Sequence, residues 1–170
     1  MKLRKFLQVI LATTLVFGVI ISPSFTNAKA IIYTTETYWK ITSKKKTGTS
    51  TGAWRNGPSG KGPSALNINQ STTKDISVTN SISGSYPVGK GTIGSSLGIT
   101  IGTSKTYGTS YTVTVPKGKK YLIIYRPVYN VYTVKQQKYY RTGSITQASG
   151  TYSTATVKSF NHWEYSWKSI

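Results

Sequence analysis

The 170-residue chain has no cysteine, one histidine and only three acidic residues. Without cysteine there can be no disulfide, thiol nucleophile or thiolate-ligated zinc. The carboxylates are Glu36, Asp75 and Glu164, and the histidine is His162. So small a set leaves almost nothing for metal ligation or general acid–base chemistry. The expectation is a non-enzyme with no cofactor, no metal and no small-molecule substrate, and no catalytic, cofactor-binding or metal-binding residue is assigned. Glu36, Arg55 and His162 are the residue types of a small secreted nuclease, a remote alternative, but no spacing in the chain makes them converge. Long apolar runs are also scarce. After the first thirty residues no stretch approaches the ~20 residues of a membrane-spanning helix.

Positive charge is abundant: 22 Lys and Arg give a formal net charge of +19. Some of it belongs to an address. Lys2, Arg4 and Lys5 precede the apolar run Phe6 to Ile21, and Pro23, Ser24 and Asn27 end it. Ala28-Lys29-Ala30 then supplies small residues at the positions a signal peptidase requires, with Ala28 as a second cleavage point. Residues 1–30 are therefore expected to be a signal peptide and 31–170 a single secreted β domain. Cleavage after Ala30 removes Lys2, Arg4, Lys5 and Lys29, four of the 22 basic residues, and leaves 18 against three acidic ones. An exported chain without cysteine suits a bacterial protein whose core folds without disulfides.

The rest of the chain alternates with period 2. Ile31, Tyr33, Trp39 and Ile41 share one parity, and Thr34, Glu36 and Lys40 the other. A basic, turn-rich connection is expected from Lys44 to Pro63, because Gly57-Pro58 and Gly62-Pro63 fall within seven residues. Between Thr72 and Lys120 the alternation is longest. Ile76, Val78, Ile82, Tyr86 and Val88 oppose Asp75, Ser77, Thr79, Ser81, Ser83 and Ser85. Beyond Pro87-Val88-Gly89-Lys90-Gly91, which reads as a turn, Ile93, Leu97, Ile99, Ile101, Tyr107, Tyr111, Val113 and Val115 oppose a face of Gly, Ser and Thr. A helix repeats every 3.6 residues, so this pattern predicts a long β-hairpin with one apolar and one small-polar face. The fold class is all-β: an elongated antiparallel sheet or sandwich with a long Ser/Thr-rich hairpin module at 72–120.

The Ser/Thr-rich arm, Gly-containing apex, second Ser/Thr-rich arm and following Val115-Pro116-Lys117-Gly118-Lys119 turn resemble the membrane-insertion module of aerolysin-type β-pore-forming proteins, in particular the epsilon-toxin and mosquitocidal-toxin branch. Tyr121 to Tyr125 and Val128 to Val134 are similar to the long strand that follows that turn in the family. The chain also resembles small secreted proteins of Gram-positive bacteria that share this pattern. The resemblance implies an aerolysin-like sheet, homo-oligomer formation, and insertion of a hairpin from Thr72 to Val115 with its apex at Pro87, Val88, Gly89, Lys90 and Gly91. Ile76, Val78, Ile82, Ile93, Leu97, Ile99 and Ile101 would then face lipid. The chain departs from the large toxins in having too few flanking residues for a separate receptor-binding lobe. Lys90 at the apex would also have to cross hydrocarbon at a cost of a few kcal/mol.

The C-terminal half reads as a binding surface. Tyr121, Tyr125, Tyr129, Tyr132, Tyr139 and Tyr140 are interleaved with Arg126, Lys135, Lys138 and Arg141, and Trp163, Tyr165 and Trp167 alternate near the end. Tyr and Trp combine broad contact area with a polar tip. A cationic exported chain is drawn to phosphate- or carboxylate-rich surfaces. Arg126, Lys135, Lys138, Arg141, Trp163, Tyr165 and Trp167 are therefore the expected contact residues. The expected partners are anionic lipid or teichoic-acid-like polymers, bound with or without lysis of a membrane. No specific nucleic-acid partner is expected, because no recognition motif accompanies the charge. The mass of the exported protein is expected to correspond to a chain starting at Ile31 or Lys29. A product retaining Met1 to Ile21 would overturn the signal-peptide reading.

Overall fold

In the computed structural model residues 32–69, 77–108 and 110–170 are described. The signal-peptide reading of 1–30, the first residues of the expected hairpin module and Ile76 lie outside them. The elements are β1 (Thr35–Thr51), β2 (Arg55–Lys61), β3 (Ser64–Ile68), β4 (Ser77–Thr79), β5 (Ser81–Gly84), α1 (Lys90–Leu97), β6 (Ser104–Thr106), β7 (Tyr111–Val115), β8 (Lys120–Thr142) and β9 (Ile145–Ser169). The architecture is all-β and its strand ladders are antiparallel. Thr34–Ile170 makes one compact unit.

Val, Ile and Tyr at alternate positions favour extended backbone along 120–142. This stretch forms one strand of 23 residues, and β9 answers with 25. At ~3.3 Å per residue each is about 75 Å long. Gly143 joins them at φ 58, in the position where a two-residue II′ turn needs positive φ. The main sheet runs β1-β8-β9-β5, and β2 continues the β1 edge of β8. The hand-over from β1 to β2 occurs at Pro127. β1 leaves β8 at the Thr51–Val128 pair and β2 arrives at Arg55–Tyr125. In between, the Pro127 carbonyl accepts a hydrogen bond from the Gly52 N–H (2.8 Å). A residue's N–H and C=O point to the same side of an antiparallel strand, so the missing proline N–H faces this gap and no ladder bond is lost.

Two apolar clusters sit on the ribbon. One gathers Ile123, Tyr125 and Trp163 under Ile68 and Val78, with Tyr129, Phe160 and residues of β3 and β7 against them. The other gathers Val134, Ala155 and Val157 under Ile93, with Ile82, Leu97, Ile99, Ile101 and Tyr132 against them. On β8 the first cluster uses odd positions 123, 125 and 129, and the second uses even positions 132 and 134. Adjacent residues of a strand point to opposite faces, so the clusters occupy opposite faces of the ribbon at different points along it. The segment from β4 to β6 passes around the β9 edge to serve both. Asn80 holds that crossing: its side chain accepts from the Phe160 N–H (2.8 Å) and donates to the Thr100 carbonyl (2.9 Å). Fully buried Gln136 holds the far side, donating to the Ser85 carbonyl (3.0 Å) and accepting from the Val88 N–H (3.3 Å).

The hairpin expected over Thr72–Val115 does not form. Its first arm is broken into β4 and β5, which pair with β6 and β9 respectively. Pro87 to Gly91 does make a turn, with the Gly89 N–H bonded to the Tyr86 carbonyl (2.8 Å), but it leads into α1. The reason is local. Ser95 interrupts the odd-parity apolar series, leaving Ile93 and Leu97 four residues apart, on one side of a helical turn. Gly98 then ends the helix in the left-handed region (φ 69), its N–H and that of Ile99 returning to Ser95 and Gly94 carbonyls. Lys44 adds a charge-assisted bond from Nζ to the Ser96 carbonyl near the helix C-terminus (2.6 Å). The long hairpin of this fold is instead β8–β9, whose second strand carries the Ser/Thr-rich run Thr151 to Thr156. The basic connection expected at Lys44 to Pro63 is likewise extended: its lysines continue β1, and Gly57-Pro58 falls at an irregularity of edge strand β2.

Ile93→Ala is expected to cost about 3 kcal/mol, as cavity-forming Ile truncations do. Asn80→Ala should cost about 2 kcal/mol by leaving buried backbone partners unpaired. Urea unfolding measures both. Changes within error for the pair would mean that the β4–β6 segment is not packed on the ribbon in solution.

Candidate functional site

Among the described residues, no layer covers one face of the ribbon beyond each cluster. One such area is the odd-parity face of β8 from Val131 to Arg141, the reverse of the Ile93 cluster. Residues directly paired across strands share a face. The register therefore places Lys158 beside Val131, and Lys45 and Thr156 beside Thr133. Ser43 and Thr154 flank Lys135, Lys40 and Tyr152 flank Gln137, Tyr38 and Ala148 flank Tyr139, and Glu36 and Thr146 flank Arg141. Lys40, Lys45, Lys135, Lys158 and Arg141 are all exposed. Glu36 is the sole carboxylate among them.

Aromatic side chains stiffen the distal end of this face. The directly opposed Tyr38 and Tyr139 rings stack with centroids 5.8 Å apart and planes 16° from parallel. Lys40 Nζ lies 5.3 and 5.5 Å from the two centroids, within cation–π range. Tyr139 Oη donates to Gln137 Oε1 (3.2 Å), and Gln137 Nε2 donates to Tyr152 Oη (3.2 Å). Glu36, Tyr38, Lys40 and Arg141 also line an open depression along the β1 edge. The arrangement suits a polyanion with hydroxyl groups: ammonium and guanidinium donors for phosphate, Ser, Thr and Tyr hydroxyls for polar groups in between.

Of the contact residues expected from sequence, Lys135 and Arg141 stand on this face. Lys138 stands on the reverse, its Nζ 5.4 Å from the Tyr140 ring. Arg126 is engaged elsewhere. It binds Glu164 through Nε and Nη2 (2.8 and 3.1 Å) and packs 4.4 Å from the Trp54 ring. Trp163, expected at the surface, is 7% exposed: it meets Tyr125 edge-on and donates from Nε1 to the Tyr107 carbonyl. A register shift near Asn161 brings Phe160 onto its face, a change of phase that unbroken alternation would not give. Tyr165 stacks on Tyr111, and half-exposed Trp167 stacks on Tyr121 at the opposite end of the ribbon. Val78, Ile82, Ile93, Leu97, Ile99 and Ile101, the expected lipid-facing set, all pack within the two clusters.

Sequence reading missed Tyr38, Lys40, Lys45, Tyr152 and Lys158 as partners of Lys135 and Arg141. For Tyr152 and Lys158 the signal was present as alternation: Tyr152, Thr154, Thr156 and Lys158 oppose Ser153, Ala155, Val157 and Ser159 along β9. The residues of the nuclease alternative do not meet. Glu36 pairs with Arg141 and Arg55 with Tyr125, sixteen β8 residues apart or about 50 Å, and His162 pairs with Val128 on the reverse face. Among the described residues no three His, Asp or Glu side chains are grouped so as to hold a metal ion. Burial pushes the Tyr125, Tyr129 and Tyr165 phenols above their ordinary range, with Arg55 opposing the shift at the first two. No family model, curated protein or solved structure matches the chain.

The hydrogen bond from Arg126 holds the Glu164 carboxyl below the usual carboxylate range, aided by the charges of Arg126 and His162 and opposed by burial. In acid the unfolded chain takes up this proton before the folded one does. The stabilisation by Glu164 is therefore complete at neutral pH and is lost as pH falls through the folded-state value. Thermal unfolding followed across that range should show a shallower acid decline in Glu164→Gln than in the wild type. Parallel curves would show that the ion pair does not contribute.

Proposed function

We propose that the chain is a secreted, non-enzymatic, cationic β-protein that engages anionic cell envelopes, its ribbon an aerolysin-like elongated sheet. One observation carries this reading: on the odd-parity face left uncovered by the described residues, Lys40, Lys45, Lys135, Lys158 and Arg141 stand with Glu36 as the sole described carboxylate. Charges of one sign on an open face concentrate counter-charged surfaces. Each Lys or Arg near an anionic leaflet contributes about 1 kcal/mol.

In the membrane-active form the β4–β6 segment leaves the ribbon and its apolar side chains turn to lipid, after or together with oligomerisation. The shortness of its attachments supports this form: β5 pairs over four residues, β4 with β6 over three, and Asn80 and Gln136 supply much of the remaining polar hold. The alternative is a non-lytic wall or polymer binder. It is favoured by the closed packing of Ile93, which has no exposed surface and would have to be uncovered on release.

The two forms separate in one experiment. Ser83 and Thr156 are direct cross-strand partners on β5 and β9, and such Cα pairs are about 4.5–5.5 Å apart, within disulfide range. The chain's lack of cysteine makes Ser83→Cys/Thr156→Cys a single defined cross-link. The mature protein is expected to adsorb to vesicles containing anionic lipid, weakly to zwitterionic ones, and less as salt rises. In the membrane-active form dye leakage stops on oxidation of the double variant and returns on reduction, while the oxidised and reduced forms of that variant adsorb equally. Adsorption without leakage from the wild type selects the non-lytic form. Failure to adsorb to anionic vesicles and to isolated cell walls at low salt defeats both.

A further inference from the structure

Taking the envelope-binding reading as its basis, we infer that the uncovered face of β1, β8 and β9 is a docking track for a linear phosphodiester polymer of a three-carbon polyol, lying along β8. The cations are ordered along the strand. Lys158 stands at the Val131 rung, Lys45 at the Thr133 rung, Lys135 at its own and Lys40 at the Gln137 rung, one positive charge on each of four consecutive rungs. The Tyr38–Tyr139 stack occupies the next, and Arg141 the one beyond. Successive rungs are two residues apart, about 6.8 Å.

A three-carbon polyol phosphate has six skeletal bonds per repeat, as two residues of polypeptide have. Extended, it therefore repeats at about 6.6–7.2 Å, and one phosphate meets one cation on each of the four rungs from Val131 to Gln137 and again at Arg141 without falling out of step. A five-carbon polyol adds two bonds per repeat and loses this register within a few units. Between the cations stand Ser43, Thr133, Thr154 and Thr156, hydroxyls that can donate to or accept from a free polyol hydroxyl.

Two other polyanions fit less well. Single-stranded nucleic acid brings a base with every phosphate and is held by rings on which successive bases stack. Here the rings are confined to the Gln137 and Tyr139 rungs, where Tyr38 and Tyr139 already cover each other. A lipid surface spreads its charge over a plane, whereas these cations flank one line, β8, from β9, from β1 and from β8 itself, at one per rung.

The test is titration of the mature protein with synthetic oligo(glycerol phosphate)s of one to ten phosphates at fixed salt. Affinity is expected to rise as phosphates are added, least at the one that meets the cation-free Tyr139 rung, and to level off near six, the number of rungs from Val131 to Arg141. A five-carbon oligomer of equal charge should bind about tenfold more weakly. Lys135→Glu/Lys158→Glu should lose at least about tenfold and flatten the salt dependence. Lys117→Glu/Lys119→Glu, an equal charge change on exposed residues of the β7–β8 turn, should lose far less. Circular dichroism of both variants checks that the fold is kept.

Equal losses in the two variants would overturn the assignment. So would equal binding of the five-carbon oligomer, or of oligothymidylate with the same number of phosphates. If the three-carbon oligomer fails while anionic vesicles or cell walls still adsorb the protein, the ligand assignment falls and the envelope reading stands. If none of them binds, both fall.

Discussion

Every other part of the molecule depends on β8 being hydrogen-bonded along both edges. β9 runs along one side, and β1 followed by β2 along the other, with Pro127 at the join. This makes a ribbon narrow enough that each cluster covers only part of its length. Because the clusters lie on opposite faces, the covering elements leave an open area diagonally across from each. The open face of β1, β8 and β9 is thus a geometric consequence of how the core is distributed.

Strand character was legible in the sequence because it is a local property. Alternating Tyr, Val and Ile against Thr, Lys and Gln can satisfy a sheet with one polar face, and the turn at Gly143 needs only its own φ. The β4–β6 segment was not legible, because its fate is settled by what lies opposite. Ile93, Leu97, Ile99 and Ile101 fit a strand on parity, and Ile93 and Leu97 fit a helical turn equally well. The apolar surface of Val134, Ala155 and Val157 decides between them, and that surface exists only once β8 and β9 have paired. Gly, Ser and Thr are poor helix formers, so α1 owes its stability to burial of Ile93 more than to its own propensity.

The candidate site was half legible for the same reason. Lys135 and Arg141 stood out as cations among tyrosines, whereas Lys45 and Lys158 are more than a hundred residues apart and come onto one face, on either side of β8, only through the register of three strands. Bulges at Thr42, Thr47 and Asn161 keep those registers in phase. Trp163 shows the converse. Its alternation with Tyr165 and Trp167 read as a contact surface, but the β3–β7 pair and Tyr107 roof it over.

The outer edge of β1 has a consequence for how copies of this molecule meet. An unpaired strand edge is a template on which further chains can grow. Among the described residues no strand pairs with that edge of β1, and it carries Lys44, Lys45 and Lys46 in succession between two bulges. An incoming copy would set lysine against lysine on a backbone whose spacing of donors and acceptors is twice interrupted. The residues that interrupt an even ladder thus also guard a 17-residue strand against edge-to-edge aggregation.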